Sequence, residues 1–305
     1  MSPLRGILLK LISVLIFIAM ASLIKATAAH VPAGEAVFFR SFFAIPVILV
    51  WLALRRELAV GWRVASPIGH VWRGVLGSTA MGLGFAGLGL LPLPEVTAIG
   101  YASPLLTVIF AAMFLGEQVR AFRMAAVAMG MVGVLIVLSP RLGGVGEATD
   151  REALGAVVVL MGALCSSLAQ VFVRKLVATE RTSAIVLWFS VTASVLSLIT
   201  IPFGWVVPDA RTAALLVLAG ILGGFGQIFL TSSYRYGDAG LIAPFEYASM
   251  IFALAIGYFV FGEVPTVVML GGAALVILAG VLIIWRERQL GLERARQRKA
   301  MTPQG

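Results

Sequence analysis

The sequence predicts an all-α polytopic membrane protein, with ten transmembrane helices arranged as two inverted five-helix repeats. Of the 305 residues, 60% are hydrophobic and only 12% are charged. The mean hydropathy is +1.03. Apolar runs long enough to cross a bilayer follow one another with short loops between them, and matching residues recur at nearly constant spacing in the two halves of the chain.

This composition excludes several classes of protein. A soluble domain carries about 25% charged residues. A domain of this size could not cover so much apolar surface with so few charges, which excludes a cytosolic enzyme, a secreted disulfide module and a disordered protein. Cys165 is the single cysteine, and the two histidines, His30 and His70, are far apart in sequence. We therefore expect no disulfide, no metal site and no cofactor.

Ten apolar runs are predicted to cross the membrane, because a transmembrane helix needs roughly 20 mostly apolar residues. The first run also resembles a secretory signal peptide, but the internal repeat described below requires it as a helix. Arg, Pro, Gly and Asp are typical of the loops between the runs. We number the runs as spans 1 to 10: 7–28, 36–54, 71–91, 94–115, 121–139, 153–173, 183–203, 211–234, 240–261 and 265–285.

The distribution of lysine and arginine predicts the orientation of these spans. With a cytoplasmic N-terminus, most of the 23 basic residues fall on the cytoplasmic side. Only Arg141, Arg151 and Arg211 fall on the opposite side, which is the positive-inside pattern. Lys10 and Arg73 are taken as cytoplasmic flanks in this assignment. Both termini are therefore predicted to be cytoplasmic.

The net charge of +9 is not interpreted as a nucleic-acid footprint. The basic residues lie between and after apolar runs instead of forming a patch on a folded face. Residues 287–305 are predicted to be a basic cytoplasmic tail. Anionic lipid headgroups attract such a segment by about 1 kcal/mol per cation. We expect the lipid bilayer, and no nucleic acid, as its partner.

An internal repeat relates the two halves of the chain. The tripeptide Tyr-Ala-Ser at 101–103 recurs at 247–249, a shift of 146 residues. The same shift takes the pair Gly-Glu at 116–117 to 262–263. Each match alone is weak in an apolar chain, but their consistent order is characteristic of a duplicated unit.

The earlier part of each half is related by a slightly larger shift. A shift of 149 residues takes Phe-Phe-Arg-Ser at 38–41 to Leu-Trp-Phe-Ser at 187–190. The predicted domains are therefore a first repeat at 6–139, a linker at 140–152 and a second repeat at 153–286. Because each repeat holds five spans, the second must enter the membrane from the opposite side. Inverted repeats of this kind are typical of secondary transporters.

These halves resemble the EamA-type drug/metabolite transporters, in which each half ends its fourth span in Gly-Glu. Phe39-Arg40 and the segment Ala-Pro-Phe-Glu-Tyr at 243–247 are similar to the bacterial subgroup that includes riboflavin and S-adenosylmethionine carriers. The resemblance covers about residues 6–286. It implies a bacterial inner-membrane carrier in which spans 1–4 and 6–9 surround a central cavity. It also implies that spans 5 and 10 lie at the periphery and support packing or a homodimer.

Other motifs argue against an enzyme. The glycines at 82–87 fit the dinucleotide-binding pattern, but they lie inside an apolar span, where small residues serve helix packing. The sequence contains no P-loop, no metalloprotease motif and no nucleophile–base pair. The alternative to a transporter is a membrane-embedded scaffold or enzyme without transport activity.

Ionisable residues at membrane depth are the first candidates for a substrate site, because they are costly there unless they have a function or a partner. Glu246 lies inside span 9 and is the candidate for binding a cationic group or carrying a coupling proton. Its alternative is a structural pairing, for example with Arg235. Arg40 and Lys25 either bind an anionic group or extend towards the lipid headgroups.

Uncharged polar and aromatic residues complete the predicted substrate site. Gln170 and Gln227 are poorly matched to lipid and should face the interior. Tyr101, Tyr247 and Trp188 offer rings that could stack on a flat ligand, or they belong to interfacial belts and packing. Charged groups of opposite sign would suit a zwitterion.

The sequence thus predicts a secondary transporter that moves a small polar or amphipathic metabolite across the plasma membrane by alternating access. A vitamin such as riboflavin, S-adenosylmethionine or an amino acid is the expected class of substrate, by resemblance. Proton coupling through Glu246 is expected to accompany transport.

Overall fold

The computed structural model describes residues 3–115, 121–142, 150–177, 179–236 and 243–301. Within these ranges the chain is helical apart from short connections, so the all-α prediction is confirmed. The helices follow the ten predicted spans in order. Span 1 is Pro3–Thr27, span 2 is Ala33–Phe42 with Ala44–Leu54, span 3 is Pro67–Leu88, span 4 is Leu93–Gly100 with Ala102–Leu115, span 5 is Ala121–Leu142, span 6 is Asp150–Val177, span 7 is Thr182–Ser197 with the 3-10 helix Leu198–Phe203, span 8 is Ala210–Tyr236, span 9 is the 3-10 helix Ala243–Tyr247 with Ala248–Phe261, and span 10 is Val267–Met301.

Eight of these described segments are long and apolar enough to cross a bilayer. The other two are span 3 and span 9. Span 3 carries His70, Arg73 and several glycines, and the apolar helix of span 9 is short, at Phe245–Phe261. Large apolar side chains, such as Val132, Leu135 and Phe259, are exposed on the outside, which a lipid environment accommodates.

The main helix pairs each join one span of the first repeat to one span of the second. Span 1 packs along span 8, and span 6 packs along span 3. Span 2 contacts span 8 as span 7 contacts span 3. The contacts of span 2 with span 7, span 4 with span 9 and span 5 with span 10 each join equivalent spans. Exchanging spans 1–5 with spans 6–10 therefore preserves this set of contacts, as a two-fold relation between inverted repeats requires.

Prolines explain two of the helix interruptions. The helices of span 2 meet at Phe43, three residues before Pro46, and those of span 4 meet at Tyr101, three residues before Pro104. A proline lacks an N–H group, and its ring clashes with the carbonyl four residues earlier, so the helix breaks just before it.

Span 9 changes from a 3-10 helix to an α-helix at Tyr247. By the shift of 146, Tyr247 is the equivalent of Tyr101, so paired spans 4 and 9 are interrupted at the same position. Pro104 and Pro244 themselves occupy different positions in the two repeats. The sequence therefore suggested interruptions at different depths, and the structure corrects this to equivalent depths.

The repeated Tyr-Ala-Ser motif meets its own copy where spans 4 and 9 touch. The Tyr101 and Tyr247 rings pack edge to face, with centroids 5.0 Å apart. The Tyr101 hydroxyl lies 2.5 Å from Ser249 Oγ. Both tyrosines are buried, at 6% and 8% exposure. These two residues therefore lie at the junction of the repeats, and their predicted contact with substrate stays a prediction.

Spans 5 and 10 pack with their backbones in close contact. A Cβ atom placed on Gly133 would lie 2.8 Å from the carbonyl oxygen of Gly272, and one placed on Gly272 would lie 2.7 Å from the carbonyl oxygen of Gly133. Small residues permit this approach between membrane helices. The pairing uses one face of each helix, and the homodimer that these spans were expected to support stays a prediction.

The helix of span 10 continues without interruption from Val267 to Met301. Most of the predicted basic tail, 287–305, is thus a helical extension of span 10, and residues 302–305 lie outside the described part. The predicted boundaries of the two repeats and the linker stay predictions.

Replacing Gly272 with alanine should destabilise the protein. The added methyl group meets the backbone of Gly133 and Val137, and such overpacking costs about 1–3 kcal/mol. This penalty exceeds the roughly 1 kcal/mol that alanine normally gains over glycine in a helix. The measurement is the apparent melting temperature of the purified protein in detergent, which we expect to fall by several degrees.

Gly271→Ala is the matched control, because a Cβ there meets nothing within 4 Å and the residue neighbours Gly272 in the same helix. We expect this variant to be as stable as the wild type or slightly more so. Equal melting temperatures for the two variants would contradict close packing of spans 5 and 10.

Candidate functional site

A cavity of about 330 Å³ lies between spans 3, 4, 6 and 7. Its walls consist mainly of small residues, with Arg73, Gln170 and serine hydroxyls as the polar groups. The lining residues are Arg73, Gly77, Ala80, Met81, Gly84, Val96, Gly100, Ser103, Val159, Gly162, Ala163, Ser166, Ala169, Gln170, Val173 and Phe189.

Glycines create part of this space. A Cβ atom on Gly84 or Gly100 would meet nothing within 4 Å, so these positions face open volume. Gly84 belongs to span 3 and Gly100 ends the first helix of span 4, next to the break at Tyr101. The interrupted helix and the missing side chains together open the cavity at membrane depth, where transporters bind their substrates.

Two arginines lie against the same aromatic ring at one end of the cavity. The guanidinium carbon of Arg73 is 3.5 Å from the centroid of the Phe189 ring, and that of Arg40 is 5.8 Å from it. Arg73 lies six residues after the start of span 3, and Arg40 lies seven residues after the start of span 2. At 1.5 Å per residue, both lie about 10 Å from the starts of their helices.

These arginines keep donor groups without hydrogen-bond partners. The Nε atom of Arg40 and the Nε and Nη1 atoms of Arg73 are buried and make no hydrogen bond. Arg40 is only 6% exposed. Within the described ranges neither side chain forms an ion pair with a carboxylate. The neighbouring Phe189 ring supplies a cation–π contact but no acceptor.

Glu246 pairs with Lys10 of span 1, across the contact between spans 1 and 9. The Lys10 side chain is 2% exposed, whereas that of Glu246 is 51% exposed. The carboxylate therefore stabilises a buried ammonium group and still faces open space. The sequence suggested Arg235 as a structural partner, and the side chain of Arg235 is outside the described part.

The Lys10–Glu246 pair occupies positions equivalent to part of the cavity wall. The shift of 146 takes Gly100 to Glu246, and the shift of 149 takes Lys10 to Val159. Gly100 and Val159 both line the cavity. Between spans 4 and 6 these positions therefore border open volume, whereas between spans 9 and 1 an ion pair joins the equivalent positions.

Lys25 takes part in a separate cluster at the far end of span 1. Its ammonium group donates to the carbonyl oxygens of Leu88 and Leu91, at 3.1 and 2.7 Å, and lies 2.8 Å from Glu263. The other oxygen of Glu263 accepts from the backbone N–H of Leu93. Lys25 thus joins span 1 to the loops after spans 3 and 9, and its predicted contact with substrate stays a prediction.

The remaining predicted residues lie at several different places. Gln170 lines the cavity. The Trp188 indole N–H donates to the carbonyl of Trp62, which ties span 7 to the loop after span 2. Gln227 is half-buried at the position equivalent to Met81, which lines the cavity. The structure therefore brings Gln170 to the cavity and Arg40 against Phe189 of its wall. Glu246, the two tyrosines, Lys25 and Trp188 lie in four further contacts, and Gln227 lies apart from these.

Sequence reasoning missed Arg73, Phe189 and Lys10 as site residues. Arg73 and Lys10 lay inside predicted spans 3 and 1, but both were counted as cytoplasmic flanks. Their positions inside the apolar runs were the signal that could have identified them. Phe189 gave no such signal, because an aromatic residue in an apolar helix is ordinary.

The sequence profile of the EamA-like transporter family matches residues 4–139 and again residues 153–286. The chain belongs to the EamA-like transporter family. The predicted resemblance is thereby confirmed, and so is the fold class of duplicated five-helix units in a multi-pass membrane protein. As an EamA-like protein the chain is a transporter, which overturns the alternative of a scaffold or enzyme without transport activity.

Several relatives have names that state what they carry. The chain is 30% identical to the pseudopaline exporter of Pseudomonas aeruginosa over 282 residues, which cover 91% of this chain and 95% of the exporter. It is 30% identical to the riboflavin transporter of Rhizobium johnstonii, covering 84% of this chain and 82% of that protein. It is 27% identical to the S-adenosylmethionine uptake transporter of Rickettsia prowazekii, covering 84% of each.

A solved crystal structure has the same fold. It superposes with a TM-score of 0.66 at 22% sequence identity, covering 93% of this chain and 98% of the solved one. This likeness supports the arrangement of helices. The named relatives include both an exporter and uptake transporters, so family membership gives transport but neither its substrate nor its direction.

A cysteine at position 166 should react with a water-soluble maleimide, because Ser166 lines the cavity. Ser167→Cys is the matched control, since Ser167 is 0% exposed and does not line the cavity. Both variants are made in a Cys165→Ser background. We expect the residue-166 thiol to react roughly tenfold faster or more, because burial suppresses thiol reactivity.

The measurement is the labelling rate in intact membranes, followed by mass shift. Equal rates at the two positions would contradict a cavity that water reaches between spans 3, 4, 6 and 7.

Proposed function

We propose that this protein is a secondary transporter that carries a small polar or amphipathic metabolite across a bacterial inner membrane by alternating access, with both termini in the cytoplasm. The observation that supports this mechanism most directly is an asymmetry between equivalent positions. Gly100 of span 4 and Val159 of span 6 border a cavity, whereas an ion pair joins their equivalents, Glu246 of span 9 and Lys10 of span 1. Two conformations related by exchange of the repeats would open the site to opposite sides in turn.

The proposed exchange of conformations would separate one pair of residues and bring the equivalent pair together. In the conformation described here, Gly100 and Val159 stand apart around the cavity, and Lys10 and Glu246 are in contact. In the exchanged conformation Lys10 and Glu246 would separate around a second cavity, and spans 4 and 6 would close. The Tyr101–Tyr247 contact lies between equivalent spans, so it can serve as the pivot of this motion.

The size and lining of the cavity suit a small molecule. A volume of about 330 Å³ lies at the lower end of the range for small-molecule sites, about 300–1,000 Å³. Glycine, alanine and valine supply an apolar wall, and Gln170 and Arg73 supply hydrogen-bond donors. Such a site fits an amphipathic metabolite better than an inorganic ion. The candidate substrates are those named for the relatives: riboflavin, S-adenosylmethionine and pseudopaline, with amino acids retained from the sequence.

Glu246 is proposed to couple transport to protons. Its carboxylate is half-exposed and its partner Lys10 is buried, so a proton can reach one member of the pair from the open side. Protonation would weaken the attraction between spans 1 and 9, because a neutral carboxyl group no longer pairs with the ammonium group. The pair must open in the exchanged conformation, so protonation would favour that conformation.

The function is tested first by uptake into proteoliposomes that contain the purified chain. The panel comprises labelled riboflavin, S-adenosylmethionine, pseudopaline and amino acids, each with and without a pH gradient. We expect saturable uptake of at least one compound above protein-free liposomes. Uptake of none of them would contradict the proposed substrate classes, and accumulation that is insensitive to the gradient would contradict proton coupling.

Glu246→Gln should retain expression but reduce flux and remove its dependence on the pH gradient. Glutamine preserves the shape of the side chain and removes its charge and its titration. Asp209→Asn is the control, because Asp209 is an exposed loop carboxylate that accepts from the N–H of Thr212, and asparagine caps a helix about equally well. Normal flux with unchanged pH dependence in Glu246→Gln would rule out the coupling role.

A further inference from the structure

We infer that Arg40 and Arg73 form an anion-binding subsite at the end of the cavity, and that the transported molecule presents a carboxylate or phosphate group to it. This inference rests on the proposed function and adds a chemical requirement on the substrate. It joins Arg73, which lines the cavity, to Arg40, which contacts the same Phe189 ring.

The first argument is that neither arginine has a carboxylate partner among the described residues. Buried charges in proteins are normally paired, because an isolated charge in a low-dielectric interior is costly. Two carboxylates that could serve are held by other groups. Glu180 accepts from the backbone N–H groups of Ala65 and Ser66 and contacts His70, one turn before Arg73. Glu246 is held by Lys10.

The second argument is mutual repulsion. The guanidinium carbon of Arg73 lies 3.5 Å from the centroid of the Phe189 ring, and that of Arg40 lies 5.8 Å from the same centroid. The two carbons therefore cannot be farther apart than the sum of these distances. Two like charges at that separation repel each other in the interior of a protein. The Phe189 ring attracts both cations but does not neutralise them. A bound anion would turn this repulsion into two attractions.

The third argument is the position of the donors. Three buried N–H groups of this pair have no acceptor: Nε of Arg40, and Nε and Nη1 of Arg73. A guanidinium group presents parallel N–H donors whose spacing matches the two oxygens of a carboxylate or phosphate. Arg73 belongs to the cavity wall, so an anion entering the cavity reaches its donors first.

The repeat gives Arg40 a second role in this subsite. The shift of 149 takes Arg40 to Phe189, so the two residues that meet here are equivalents in the two repeats. Phe189 lines the present cavity. In the exchanged conformation Arg40 would therefore line the opposite cavity, where Ala219 is the equivalent of Arg73. The anion would keep an arginine partner in both conformations, Arg73 in one and Arg40 in the other.

The test uses anions as probes and a thiol in the cavity as the reporter. The full chain carrying Ser166→Cys and Cys165→Ser is reconstituted in phosphatidylcholine nanodiscs, and its labelling by a neutral maleimide is followed. Succinate and inorganic phosphate are added at constant ionic strength against choline chloride. We expect saturable protection of the thiol by at least one of these anions.

Arg73→Gln and Arg40→Gln should each raise the half-protecting anion concentration about tenfold or more, as expected for loss of a charge-assisted hydrogen bond. Unprotected labelling at the wild-type rate shows that the variant retains the cavity. Arg73→Lys keeps the charge but loses the planar donors, so it should fall between the wild type and Arg73→Gln. Arg63→Gln, in an exposed loop, is the control that should leave protection unchanged.

Two results would overturn the inference. One is the absence of protection by either anion, and the other is protection that survives in both glutamine variants. A further arm replaces phosphatidylcholine with phosphatidylglycerol. Protection by this lipid alone would assign the anion to a lipid headgroup and would overturn the substrate requirement.

The transport assay separates this inference from the proposed function. Anion protection without uptake of any substrate would retain the subsite and contradict the carrier mechanism. Uptake of a substrate that proceeds normally in Arg73→Gln and Arg40→Gln would retain the carrier and contradict the subsite.

Discussion

The cost of charge inside a membrane is the constraint that organises this structure, because each ionised side chain there needs a partner or a function. Lys10 and Lys25, near opposite ends of span 1, both meet their partners. Lys10 pairs with Glu246 within span 9, and Lys25 pairs with Glu263 just after it. Two ion pairs, at two positions along span 1, thereby connect it to span 9 and to the residue that follows span 9. Releasing one pair while keeping the other would pivot the helix, which is the type of motion that alternating access requires.

The inverted repeat decides where such partners can be found. Equivalent spans from the two halves touch each other, so a residue near the axis meets its own copy, as Tyr101 meets Tyr247. Arg40 meets Phe189 for the same reason. A substitution in one repeat therefore changes the chemistry on both sides of the axis. Arg40 and Phe189 occupy equivalent positions of the two repeats, but the residue types at these positions differ.

The sequence was sufficient for the fold and the repeat because both depend on periodic features, namely apolar runs and matched motifs. It was insufficient for the site, which depends on where each helix begins. Span 3 begins at Pro67 instead of residue 71, and span 1 begins at Pro3 instead of residue 7. One additional turn at each start places Arg73 and Lys10 about 10 Å from the starts of their helices instead of within the first turn. The partner of Trp188 lies in a distant loop, a contact that no local pattern encodes.

The two repeats differ most in polarity at matched positions, and this difference has a consequence for transport. Gly100 and Met81 line the present cavity, whereas their equivalents are Glu246 and Gln227. The cavity of the exchanged conformation would therefore be more polar than the one described here. A substrate would bind the two conformations with different affinities, which sets its half-saturation on each side. Unequal affinities cannot by themselves drive accumulation, since a ligand only redistributes populations at equilibrium. Net accumulation would therefore need a second gradient, and Glu246, which lies on the more polar side, is the carboxylate that we propose to couple to it.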